Sequence, residues 1–245
     1  MKKFMGVFLL TIFLLIVTPI EAQQSAFLDK YISELIEVER NDNKANGNWI
    51  FNQLVNSDGN VTEAHFDPRK NASLQWELIS VDGEVPSKNQ VLAFQKAKLD
   101  ENKEEKSFFS ELKFSEVINA PTLTLVKKEQ GFLHYSFAPS MSDDKDSQDN
   151  FNGYLVINEQ SQHIDSIRIQ NRHELSPAFS VSLDEVLITA KFGDVEGKPV
   201  IQNRQLQIHG TIGFFKEINK QLNVEYSQHQ YIPDVIVQPP HTQSD

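Results

Sequence analysis

Seven histidines and a run of aspartates are the residues of this 245-residue chain with the types to do chemistry, and their spacing argues against it. His65, His134, His163, His173, His209, His229 and His241 are scattered along the chain. His173-Glu174 is followed by Leu175, Ser176 and Pro177, so the H-E-x-x-H spacing that sets two ligands and a base on one helix face is broken. His134 and His209 would have to meet across strands to hold a metal; the plainer reading gives them a solvated or hydrogen-bonded role. Asp143, Asp144, Asp146 and Asp149 resemble a calcium loop. That loop lacks its central glycine, and Leu155 stands where the bidentate glutamate falls if Asp144 comes first. There is no G-x-S-x-G and no phosphate-cradling glycine loop. Cysteine is absent, which removes thiol nucleophiles, disulfides, thiolate metal sites and lipid-modified cysteine. Asn60-Val-Thr and Asn71-Ala-Ser match the glycosylation sequon, a pattern that arises often by chance. The expectation is a protein that is not an enzyme, with no cofactor and no metal.

Charge narrows the partners. The formal net charge is -11. Without residues 1–22, 21 basic residues face 33 acidic ones. Such a surface repels phosphate backbones, so nucleic acid is excluded as an expected partner. Lys2 and Lys3 precede the apolar run Phe4–Ile20, Pro19 breaks that run near its end, and Ala22 offers a small residue for cleavage before Gln23. Residues 1–22 are therefore expected to be a signal peptide, against the competing reading of a short membrane anchor. The expected compartment is the periplasm, with no transmembrane span after cleavage.

The elements that would position any site follow from periodicity. Phe27/Leu28, Tyr31/Ile32 and Leu35/Ile36 recur every four residues and predict an amphipathic helix from about Ser25 to Glu39. NWIFNQLV reads as a strand or helical turn, and VTEAHF and WELIS as extended segments around the turn signals SDGN and VDGEVPS. Trp76 is expected to pack on the Asp82-Gly83 turn. A second, central helix is expected from near Ser87, carrying Val91, Leu92, Phe94 and Leu99 and dissolving into the charged run DENKEEK. From Thr122 onward the period becomes two. Leu133, Tyr135 and Phe137 share one face, as do Phe151, Gly153, Leu155 and Ile157 in the next strand. Leu206, Ile208, Gly210, Ile212 and Phe214 share another, and Leu222, Val224 and Tyr226 align near the end. About six sequential strands with short turns predict an antiparallel meander. Gly153 and Gly210 mark curvature or close backbone approach. A single domain is expected over residues 23–235, with residues 236–245 as a disordered tail.

The fold class expected is α+β: a curved antiparallel sheet, a half-barrel, covered by the N-terminal and central helices. The strand pair Phe151–Ile157 and His163–Ile169, the later IHGTIGFFK and VEYSQHQYI, and the order of leader, early helix, central helix and meander resemble the periplasmic lipoprotein-carrier (LolA/LolB-like) superfamily. Phe66-Asp-Pro68, Trp76–Gly83 and Pro86 resemble an element of uncharacterised secreted bacterial relatives. The resemblance implies a helical lid over a hydrophobic cavity that receives a lipid or lipoprotein acyl chain. The ligand-binding residues this expectation names are Ile32, Leu35, Tyr135, Phe137, Phe151 and Phe214. The alternative is a non-catalytic interaction or regulatory module with a filled core that meets an envelope protein. A cavity or a packed interior separates the two.

Overall fold

The computed structural model describes residues 29–39, 48–100, 112–140, 149–213 and 215–233. The expected signal peptide, the expected tail, Phe214 and the three central aspartates of the loop 141–148 lie outside these residues. Helix α1 spans 29–39. Strands β1 (Trp49–Ser57), β2 (Asn60–Phe66) and β3 (Trp76–Val81) follow, then α2 (Lys88–Asp100) and the single turn α3 (Phe114–Val117). The remaining strands are β4 (Thr124–Glu129), β5 (Phe132–Phe137), β6 (Phe151–Asn158), β7 (His163–Asn171), β8 (Leu175–Ala178), β9 (Val181–Val195), β10 (Lys198–Ile212) and β11 (Lys216–Tyr231).

Turn chemistry sets the hairpins. Asp58-Gly59, Gln130-Gly131 and Glu196-Gly197 join their strands with both residues at positive φ. This is the two-residue geometry whose twist matches paired strands, and glycine in second place adopts it without strain. Ser87 and Gln90 exchange hydrogen bonds at the start of α2, a capping box that fixes where the helix begins.

All strands join one curved, unclosed antiparallel sheet in the order β3-β2-β1-β11-β10-β9-β7-β6-β5-β4, with β8 paired to β9 off this path. The expected meander is present, with eight strands from Thr124 on rather than six. NWIFNQLV is a strand, and FSVSLDEVLITAKF belongs mainly to the long β9. What the sequence reading lacked is the pairing of the last strand, β11, with the first, β1, from Trp49↔Tyr231 to Ser57↔Leu222. It welds the N-terminal strands onto the meander.

Directly opposed residues share a face. One row therefore crosses the ten strands of the path: Leu125, Tyr135, Leu155, Ile167, Ala190, Arg204, Val224, Val55, Thr62 and Val81. Apart from Arg204 and Thr62 it is apolar, and it defines the inner face. Register shifts at Ile201/Asn203, His209/Gly210, Glu63/Ala64 and Val156/Ile157 bend the strands. The two expected glycines do allow close approach. The ring of Phe137 lies over Gly153, and the Ser182 carbonyl sits against Gly210.

Two buried clusters line the inner face. The larger contains Tyr31, Leu35 and Val38 of α1, Phe114 and Val117 of α3, and Leu155, Ile157, Ile167, Ile169 and Ile188 of the sheet. The smaller is Trp49, Phe51, Ala64, Phe66, Trp76 and Val200, with Phe94 of α2 against it. Trp76 thus packs on Phe66, Phe51 and Phe94, not on the Asp82-Gly83 turn, because its strand turns it inward. The apolar stripe expected on α2 is weak: Phe94 is partly buried, whereas Leu92 is exposed.

Candidate binding site

The seat of α1 is built from its sequence spacing. Tyr31, Leu35 and Val38, at i, i+4 and i+7, fall on one helix face and are buried, while Ile36 on another is exposed. Polar groups then tie each end. Lys30 Nζ donates to the carbonyl and Oε1 of Gln162, at 3.3 and 3.2 Å, in the β6–β7 turn. The Ile164 amide donates to Glu34 Oε1 at 3.2 Å. His163 stands between two carboxylates, with Nδ1 3.2 Å from Glu34 and Nε2 3.4 Å from Asp194. At the far end Glu39 accepts from the amide and hydroxyl of Ser115, in α3.

These contacts set the electrostatics. Burial pushes the Glu34 carboxyl up, against the opposing pull of the Ile164 amide and His163. Burial pushes Glu39 up as well, against its hydrogen bonds from Ser115 and the nearby Arg204 charge. The Tyr31 phenol is pushed up to about 12, chiefly by burial and then by Glu34. Burial thus disfavours the charged forms of Glu34 and Glu39 at the margin of the apolar seat.

Five of the six residues expected to bind ligand gather here. Leu35, Tyr135 and Phe137 are buried within the larger cluster, and Ile32 and Phe151 pack against it partly buried. Phe214 falls outside the described residues. Around Leu35 the interior is filled: Leu35, Ile157, Ile169 and Ile188 have no exposed surface. Space exists at the seam between the clusters. A crevice of about 20 Å³ is lined by Val38, Trp49, Phe51, Val200, Ile201 and Tyr226, room for one small group only. Beyond the larger cluster the inner face continues as a ledge. Val55, Leu206, Ile208 and Leu222 point inward yet are only half-buried.

No family model, curated protein or solved structure matches this chain. Function therefore rests on the site itself. The cross-strand pairing of His134 with His209 is excluded by topology, since β6, β7 and β9 separate β5 from β10. Among the described residues no group of three or more metal-ligating side chains gathers.

Sequence reasoning missed three features. Glu39 and Arg204 are polar residues buried in or beside the seat and Glu34 is partly buried there, and only the tertiary pairing of α1 with β7, α3 and β10 reveals them. The single turn α3 inserts Phe114 and Val117 into the larger cluster, with too few residues to display a period. On the outer face a polar groove of about 640 Å³ crosses β1, β11, β10 and β9, lined by Asn52, Gln202, Asn203, Gln205, Asn223 and Glu225. Its floor depends on Gly193, whose missing side chain leaves room for Gln202 to lie flat. The amides there present donors and acceptors together, with Asn203 donating to Asn223 and Asn223 to Glu225. The signal was the run of Asn and Gln at outward positions of β10 and β11, which reads first as a solvated face.

Proposed function

We propose that this protein is a non-catalytic, periplasmic binding or carrier module that shelters an apolar chain, such as the acyl chain of a lipid or lipoprotein. The half-barrel is the open sheet, α1 is its lid, and the reading is the one implied by the likeness to the LolA/LolB-like carriers. The observation that carries it is the ledge. Val55, Leu206, Ile208 and Leu222 extend the apolar inner face past the buried seat, and they adjoin it through Leu206 and Leu222, which pack on the larger cluster. An acyl chain laid on this ledge gains about 0.8 kcal/mol for each methylene removed from water. Access beneath α1 requires the ties of Lys30 to Gln162 and of Glu34 to Ile164 to open. That places lid release in a few polar contacts at one end of the helix.

The filled interior beneath α1 favours a second reading, an interaction module that uses its surface to meet an envelope protein. A fluorescent fatty acid and native mass spectrometry of gently extracted protein separate the two. The carrier reading expects a co-purified apolar ligand. It also expects about tenfold weaker probe binding in Ile208→Ser at a melting temperature near the parent's, and in Ile32→Trp, which packs against the larger cluster, a loss of probe binding greater than its loss of stability. Protein that carries nothing and binds no probe overturns it and leaves the interaction module.

A further inference from the structure

Two phenylalanines stand out of the fold on neighbouring chain reversals. Phe179, in the β8–β9 turn, and Phe215, in the β10–β11 turn, are 107% and 96% exposed, the values of side chains projecting into solvent. The turns adjoin. Ile212 pairs with Val181, and the Gly213 amide donates to the Ser180 carbonyl at 2.6 Å. Ile212 is also exposed. One end of the sheet thus carries a convex apolar tip built from two strand ends.

Charge is withheld from this tip. LSPAFSVSL, Leu175 to Leu183, contains no ionisable residue, and neither does GTIGFF, Gly210 to Phe215. Elsewhere charge is frequent, at 23% of the chain. It returns where the two stretches end, at Glu174, Asp184, Glu185, Lys216 and Glu217. The pattern is an uncharged aromatic tip with a collar of charge flanking it in the chain, Lys216 lying directly opposite Ile212.

We infer that this tip docks the protein on a lipid bilayer by inserting Phe179 and Phe215 at the headgroup–acyl boundary. Two features select a bilayer over a protein pocket. The tip is convex, and a deformable interface accepts a convex tip without a matching cavity. The collar keeps its charges level with water while aromatic rings, suited to the membrane interface, enter. The collar also specifies the lipid. Four carboxylates face one lysine among its residues, so an anionic surface repels it and net-neutral, zwitterionic headgroups are favoured. The inference stands on the tip alone; a protein with no acyl site would still dock.

Sedimentation of purified protein with phosphatidylcholine vesicles tests it. The parent is expected to co-sediment, and Phe179→Ser/Phe215→Ser to lose at least tenfold in vesicle binding at an unchanged melting temperature. Because both sites are exposed, the variant retains the fold, and its fatty-acid probe binding reports the ledge separately. Phe179→Trp is expected to shift its emission to the blue on adding vesicles. Binding that is stronger on phosphatidylglycerol and vanishes with salt overturns the inference, since it is then charge-driven. So does a parent that stays in the supernatant, or a double variant that sediments like the parent. Crosslinking from position 179 to a protein, without vesicle binding, assigns the tip to a protein partner instead.

Discussion

The two buried clusters solve the same problem with different side chains. The larger is aliphatic, dominated by Ile157, Ile164, Ile167, Ile169, Ile188 and Ile201, and it sits mid-sheet with α1 and α3 contributing to it. The smaller is aromatic. Phe66 and Trp76 lie 4.9 Å apart between ring centroids, Phe51 and Phe66 5.1 Å, and Phe51 and Trp76 5.8 Å. Position explains the difference. Mid-sheet strands have neighbours on both sides, so medium β-branched residues form continuous rows that bury one another. At the β3 edge there are fewer neighbours, so each residue must bring more surface, and α2 adds Phe94 with Lys98 4.7 Å above the Trp76 ring. Tyr226 packs against both clusters, and the small crevice lies beside it. The seam between an isoleucine core and an aromatic one is where two packings meet without filling all the space.

The sharpest way to break the larger cluster is Leu155→Asp, which buries an unpaired charge in the inner row. It should destabilise the fold by more than about 4 kcal/mol. Val126→Asp on the exposed edge strand β4 is the contrast and should change stability by less than about 0.5 kcal/mol. Similar melting temperatures for the two variants would remove the inner-face assignment.

Phe66→Ala strikes the smaller cluster and should lose about 3–5 kcal/mol, the range for deleting a fully buried ring. Since the clusters share no fully buried residue, its effect should add to that of Leu35→Ala within about 0.5 kcal/mol. A double-mutant cycle in chemical denaturation checks this, and a larger coupling means the clusters form one core.

Most of this sheet was readable because period two is a local signal. Tyr135, Phe137, Leu155, Ile157, Leu206 and Val224 all sit on the face their alternation indicates, and α1 buries Tyr31 and Leu35 as its period requires. The β1–β11 pairing was not readable. Its partners lie up to 182 residues apart, at Trp49 and Tyr231, and nothing local in either strand names the other. The site was legible only as a set of residues. That Leu35, Tyr135 and Phe137 lie in one cluster follows from alternation plus the helix stripe. That their surroundings are filled depends on α3, a turn too short to show a pattern, and on the depth at which α1 seats. The trace of the ledge was present in Leu206 and Leu222, but partial burial is a tertiary property that identity and spacing do not encode.

A smaller effect probes the close approach of Phe137 to Gly153. A side-chain carbon added at Gly153 would lie 2.4 Å from the ring. Gly153→Ala should therefore destabilise by about 1–3 kcal/mol through overpacking of the larger cluster. Phe137→Leu/Gly153→Ala should recover part of that loss, because the flat ring is what excludes the methyl. No recovery in thermal melts means the loss arises from the strand backbone rather than from the ring.

The smallest effect, and the one that most finely separates the two ends, is their response to pH. Beside the α1 seat, burial raises the Glu34 carboxyl, with Lys30 and His163 nearby and Asp194 across His163. The folded state therefore holds that proton more tightly than the unfolded chain. Its contribution is complete below the unfolded carboxylate range and is lost as pH rises through the raised folded value. Beyond the aromatic cluster the sign reverses. Asp67 is buried and held below its usual range by Arg69, whose guanidinium donates to both carboxylate oxygens at 2.9 and 2.8 Å. That contribution is present above the unfolded range and is lost as pH falls through the lowered value. Glu34→Gln cannot ionise, so it should protect the amides of helix 29–39 from hydrogen exchange more than the parent does at neutral pH, with the gain fading toward pH 4. Asp67→Asn should do the opposite at the β2–β3 corner, losing protection at neutral pH and converging with the parent in acid. Parallel pH profiles for parent and Glu34→Gln would show that the Glu34 charge does not govern how α1 is seated, which would then rest on its apolar face alone.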